Sequence, residues 1–180
     1  MKFQVVPSPL GNILLAGDGQ GLRSLDFELG RRGRVPIPAE WELDESFPLL
    51  RRAADQLRAY FQGRRRSFSI PLAPVGTPFQ QRVWAALQRI PFGETITYGE
   101  LARQAGRPRA IRAAGAANGR NPISIVIPCH RVLGKDGSLT GYGGGLAKKR
   151  ALLELEGARV PGNLRPGLSR VHAGVIARAP

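Results

Sequence analysis

The chain has 180 residues and a formal net charge of +14, from 27 Lys and Arg against 13 Asp and Glu, with one cysteine and two histidines. One cysteine excludes an intramolecular disulfide, and a cysteine with two histidines falls short of the four ligands of a structural zinc site, so no metal and no other cofactor is expected. Residues 1–7 lack the apolar stretch of a signal peptide and no apolar run approaches ~20 residues, so the expectation is a cytoplasmic protein with no membrane partner.

The first third reads as short strands, at residues 3–6, 12–16 and 22–27, because β-rich runs alternate there with Gly, Asp and Pro. Residues 48–62 read as a helix: Leu49, Leu50, Ala53, Leu57, Tyr60 and Phe61 recur at helical spacing, with Pro48 at the start and Gly63 just past the end. A further strand is expected at residues 68–70, and the Pro- and Gly-rich residues 71–76 read as a linker and domain boundary. Thr77 and Gln80 have capping-box spacing and Pro78 suits a first helical position, so a helix opens there with Phe79, Val83, Trp84 and Leu87 on one stripe. It ends at Pro91-Phe92-Gly93. Thr97 and Glu100 form a second capping box opening a helix over 98–105, and Gly106-Arg107-Pro108 breaks it before another over 108–118, with Ile111, Ala114 and Ala117 facing inward. Two short helices around a Gly-containing turn resemble a helix-turn-helix. The second carries Arg109 and Arg112 among Ala110, Ala113 and Gly115, small residues that suit either a close approach to a duplex or tight helix packing. Residues 123–127 read as a strand, the Gly-rich residues 141–145 as a flexible loop, and 146–156 as a final helix with Gly157 as its cap. Residues 161–180 read as a basic tail.

The charge is uneven. Residues 1–50 carry 5 basic and 7 acidic side chains, and residues 101–150 carry 10 basic and 1 acidic. A basic docking face for a polyanion such as nucleic acid accounts for this better than solubility does. The same window holds the lone cysteine, in Ile127-Pro128-Cys129-His130-Arg131. A thiol, an imidazole and a guanidinium in consecutive residues favour thiolate formation and nucleophilic chemistry.

Pro128-Cys129-His130-Arg131 resembles the active-site motif of the O6-alkylguanine-DNA alkyltransferases. Phe92-Gly93-Glu94-Thr95-Ile96-Thr97-Tyr98, Arg112 in its Ala- and Gly-rich helix, Asn121-Pro122, Gly141-Tyr142-Gly143-Gly144-Gly145-Leu146 and Leu152-Leu153-Glu154-Leu155-Glu156-Gly157 follow in the family's order and spacing. The resemblance covers about residues 77–157.

It implies an α+β protein of two domains: residues 1–76, a small antiparallel sheet with a helix, ribonuclease H-like, plus linker; and residues 77–160, a mainly helical, winged-helix-like domain for DNA binding and alkyl transfer. It implies that Cys129 takes the alkyl group in a single irreversible turnover, from O6-alkylguanine and from O4-alkylthymine. His130 then acts as base through a bridging water, Glu156 orients the imidazole, Tyr98 donates to the departing purine, and Asn121 braces the turn holding the cysteine. Arg112 is the finger that fills the place of a flipped-out base in the minor groove, with Arg109, Ala113, Gly115 and Arg131 on the DNA. Tyr142, Gly143 and Val132 line the base pocket. The partner is double-stranded DNA carrying O6-alkylguanine, bound by a monomer, with cooperative binding left open.

Some relatives have an N-terminal zinc site that this chain has no cysteines to build, and some have serine where Gly143 stands, so acceptance of bulky O6 adducts is expected. Two other readings compete: a cysteine hydrolase, which would regenerate its thiol, and a non-catalytic DNA-binding protein.

Overall fold

In the computed structural model, which describes residues 1–158 apart from 28, 31–32 and 35–36, β1 (Lys2–Val6), β2 (Ile13–Asp18) and β3 (Gly21–Phe27) form an antiparallel meander. β2 is its centre, buried on both faces over Ile13 to Gly17, which accounts for its unbroken apolar run. Two-residue strands β4 (Leu29–Gly30) and β5 (Gly33–Arg34) pair with each other, and β6 (Glu42–Leu43) adds a short parallel edge beside β1. Helix α1 (Pro48–Phe61) lays Leu50, Ala53, Leu57 and Tyr60 on the sheet. The expected strand at 68–70 does not form. Instead the chain crosses β3 two residues later, where Leu22 N–H donates to Pro71 O (2.8 Å) and Ala73 N–H to Leu22 O (2.8 Å).

The second half is mainly helical. Helix α2 (Pro78–Gln88) opens on the full capping box: Thr77 Oγ1 accepts from Gln80 N–H and Gln80 Oε1 from Thr77 N–H. Strand β7 (Ile96–Thr97) leads into α3 (Tyr98–Gln104), where only half the expected box is made. Glu100 turns away from the cap because Arg103 and Gln104, one turn on, hold its carboxylate. Helix α4 (Ile111–Gly119) starts three residues later than expected and buries Ala114 and Ala117. Ile111, expected inward, is 47% exposed.

Residues 123–127 do not form a strand. They coil as a tight turn in which Ile125 has φ +70°, leaving only Ile123 bridged to Leu25. A single 3-10 turn over Cys129–Arg131 follows, then β8 (Val132–Leu133), parallel to β7, and α5 (Leu146–Leu155), which Gly157 closes at φ +65°. The basic tail lies outside the described residues, and among those described no helix is long and apolar enough to cross a membrane.

One apolar core runs through both halves, with Ile13, Leu22 and Leu57 contiguous with Trp84, Leu101, Ile127 and Leu152. Polar bonds reinforce it. Leu25 N–H donates to Pro122 O (2.8 Å) and Ser124 N–H to Leu25 O (2.7 Å), so the segment leading to Cys129 hangs from β3. Gly21 makes the β3 crossing possible: its φ of +148° suits glycine, and a Cβ there would lie 2.7 Å from Pro71 O. Gly21→Ala is therefore expected to destabilise the fold by roughly 2 kcal/mol, read as a lower urea midpoint with unchanged slope.

Candidate active site

The site is built around a buried carboxylate. Glu156, 5% exposed, caps α5. Its Oε1 accepts from Tyr60 O–H (2.8 Å) and Arg131 Nη2–H (2.9 Å) and lies 2.9 Å from His130 Nε2; its Oε2 accepts from Arg131 Nε–H (2.8 Å) and Gly93 N–H (3.3 Å). Burial pushes the Glu156 carboxyl up, but the hydrogen bonds of His130 and Arg131, with the Arg131 charge, prevail and hold it at about 2. Arg131 also donates to Ile90 O (2.6 Å) and packs its guanidinium over Phe92. Expected on the DNA, Arg131 is instead buried with its charge spent on Glu156, a correction that follows from the carboxylate's need for a cation.

His130 is fully buried, and burial beside Arg131 and Lys149 pulls its pKa down despite Glu156, so the ring is neutral. With Glu156 ionised, a neutral ring donates from Nε2 and leaves the Nδ1 lone pair bare. Nδ1 has no hydrogen-bond partner among the described residues.

Cys129 is 4% exposed. Burial pushes its thiol up to about 11; the Asn121 hydrogen bond and the Lys149 charge offset this only in part, and Asp26 adds to it. At rest the sulfur is therefore a neutral thiol. Asn121 holds the turn before it: Nδ2–H donates to Ile127 O (2.7 Å) while Oδ1 accepts from Ile123 N–H (3.0 Å). This bracing sustains the left-handed Ile125, a conformation that costs a β-branched residue roughly 1–3 kcal/mol. A cleft of about 500 Å³ beside the loop is lined by Phe68, Leu72, Phe92, Ile125, Pro128 and Arg131.

On the other side lies the glycine loop. Tyr98 O–H is within 3.2 Å of Thr140 O and 3.3 Å of Gly141 O. A Cβ on Gly141, whose φ is +48°, would stand 3.2 Å from that hydroxyl, so glycine permits the contact. Tyr142 is buried with its ring edge-on to His130 at 6.5 Å, and Val132 is buried on β8. Gly143 is exposed, and a Cβ there would meet open space.

Lys149, which the sequence reading missed, is fully buried and donates from Nζ to both Val132 O and Thr140 O (2.6 Å each), tying the glycine loop to β8. Burial pulls its pKa down to about 8. The signal was present: Lys149 shares the buried stripe of α5 with Leu152, Leu153 and Glu156. Arg112 and Ala113 are exposed at the start of α4 and Arg109 in the turn before it, and Gly115 is half-buried with its Cα facing the Tyr98 ring. The structure thus gathers Cys129, His130, Glu156, Asn121, Tyr98 and Tyr142 into one region and sets the α4 residues at its edge.

Comparison with known proteins identifies the family. Residues 78–158 match the 6-O-methylguanine DNA methyltransferase DNA-binding domain, and residues 1–74 match the ribonuclease-like domain of the same enzymes. A methylated-DNA–protein-cysteine methyltransferase of Methanosarcina barkeri is 55% identical over 87% of this chain and 97% of its own. One from Mycobacterium tuberculosis is 49% identical over 91% and 97%. The crystal structure of Mycobacterium tuberculosis OGT in complex with DNA superposes with a TM-score of 0.81 at 48% identity, over 89% of this chain and 96% of that one. The chain belongs to the 6-O-methylguanine DNA methyltransferase family.

Because the Glu156 carboxyl falls from about 4.5 when unfolded to about 2 when folded, its contribution is complete above pH 4.5 and is lost as pH drops from there toward 2. Urea midpoints are expected to fall across that window. Glu156→Gln is expected to cost about 3–5 kcal/mol at neutral pH, by leaving the Arg131 cation buried without its partner, and to flatten the acid dependence.

Proposed function

We propose that this methyltransferase repairs alkylated DNA by moving the alkyl group of O6-alkylguanine, or of O4-alkylthymine, irreversibly onto Cys129, once per molecule. What carries this reading is the buried Cys129 thiol followed directly by a neutral His130 whose Nε2 is held by Glu156 and whose Nδ1 is unengaged.

The thiol, pushed up to about 11, is a poor nucleophile until it loses its proton. His130 Nδ1 takes that proton through one water, and the imidazolium so formed is stabilised by Glu156. A sulfur lone pair attacks the alkyl carbon as the carbon–O6 bond breaks, and the bonding pair passes to the purine. Tyr98 gives its phenolic proton to the purine, which leaves as guanine, and the proton on His130 returns to the phenolate. Burial keeps the Tyr98 hydroxyl protonated beforehand, with its pKa raised. The S-alkyl thioether has no easy leaving route, so the thiol is not regenerated.

The O6 atom is out of reach in stacked DNA, and the nucleotide is flipped out at a cost of a few kcal/mol. Arg112 fills the vacated position, with the recognition helix of a helix-turn-helix, α4, in the minor groove, contacting through Arg109, Ala113 and Gly115. Entry of the base replaces the bonds that Tyr98 makes to Thr140 O and Gly141 O, opening the glycine loop over the 4%-exposed sulfur. Gly143 leaves room for bulky adducts. The protein acts as a monomer in the cytoplasm.

Mixing the protein with a duplex carrying O6-methylguanine should add one methyl per chain, found by intact-mass and peptide analysis on Cys129, with no second turnover. Cys129→Ala should abolish transfer and retain DNA binding. A regenerated thiol would favour the hydrolase, and an unmodified wild type the binding-only protein. Since proton withdrawal is internal, the transfer rate should change less than twofold between pH 6.5 and 7.5, whereas a solvent-equilibrated thiolate would give a rise of about tenfold.

A further inference from the structure

The first residue of α4 does not behave as its neighbours do. The solvent face of this helix is otherwise Arg112, Ala113, Ala116, Gly119 and Arg120, all arginine or small, yet Ile111 leaves 47% of its surface exposed there. Between Leu101 and His130 there is no acidic residue and there are five arginines, one of which, Arg103, is paired with Glu100, so the segment keeps an excess of positive charge complementary to a polyanion.

Its direction is informative. Ile111 and Gly115 are four residues apart and share one stripe of the helix. Gly115 lies on the Tyr98 ring, with a Cβ there only 3.6 Å from Tyr98 Cδ1. The stripe therefore runs from Tyr98, beside the thiol, out to Ile111 at the helix start, next to Arg112. An apolar group at that lip stands where a nucleotide leaving the stack must pass.

We propose, resting on the alkyl-transfer reading above, that Ile111 is a second, apolar wedge beside Arg112. It packs against the deoxyribose and the unstacked face of the base flanking the vacated position. Duplexes are commonly held open this way: a branched apolar side chain enters a base step and takes up surface that unstacking exposes to water. Arg112 supplies charge and a stacking plane, and Ile111 supplies dry surface that arginine and alanine cannot.

The test compares wild type, Ile111→Ala and Ile111→Leu for the rate of methyl transfer to Cys129. The substrates are O6-methylguanine in a matched duplex and the same lesion in a four-nucleotide single strand, which has no duplex to open. Ile111→Ala is expected to slow transfer from the duplex about tenfold and from the tetranucleotide less than twofold, and Ile111→Leu to recover most of the duplex rate. An unchanged duplex rate in Ile111→Ala would overturn the proposal, as would an equal loss on both substrates, which reports damage to the site. If wild type methylates Cys129 from neither substrate, it is the alkyl-transfer reading itself that has failed.

Discussion

A carboxylate sealed inside a protein is tolerable only when its oxygens are filled with donors, and Glu156 has them from four directions. Tyr60 reaches it from the helix on the N-terminal sheet, Gly93 from the turn after α2, and His130 and Arg131 from the reactive loop. A buried anion of this kind costs several kcal/mol unless it is both hydrogen-bonded and paired with a cation, and Arg131 supplies the cation. The same group thus docks the two halves of the molecule, consumes the charge of Arg131, and sets the tautomer of His130.

The reactive loop depends on that docking. It is hung from β3 by two backbone hydrogen bonds, pinned by Asn121, and carries Ile125 in a left-handed conformation that the surrounding bonds must hold. The outcome is a sulfur that is closed off and protonated at rest. Lys149 and Tyr98 hold the glycine loop through the carbonyls of Thr140 and Gly141, so its resting position depends on a few hydrogen bonds.

Much of the fold was legible where local chemistry decides it. The meander, α1 and the Thr77 capping box follow from alternation, helical spacing and turn residues that act within a few positions of one another. Residues 123–127 misled because Ile-Ser-Ile-Val-Ile has the composition of a strand, while Asn121 and β3, distant in sequence or acting through side-chain bonds, bend it into a turn. Tyr60 was legible as a core residue, but its bond to Glu156 crosses 96 positions and has no local signature. Arg131 looked like a DNA contact because a sequence shows charge but not burial. Lys149 was overlooked for the converse reason: a lysine on an apolar stripe is ordinarily read as solvated, and the backbone carbonyls that accept from it cannot be seen in a sequence. Cys129 and His130 stand out in the sequence as a thiol beside an imidazole, Glu156 enters through the resemblance, and the structure supplies the geometry connecting the last two.

The tautomer of His130 is the feature on which fold and chemistry both turn, and nitrogen-15 NMR of the histidine side chains at neutral pH reads it directly. A protonated Nε2 with a bare, pyridine-like Nδ1 is the expected result, lost in Glu156→Gln. A protonated Nδ1 in the resting protein, whether as the opposite tautomer or as an imidazolium, would leave Cys129 without the base assigned to it and would contradict the mechanism.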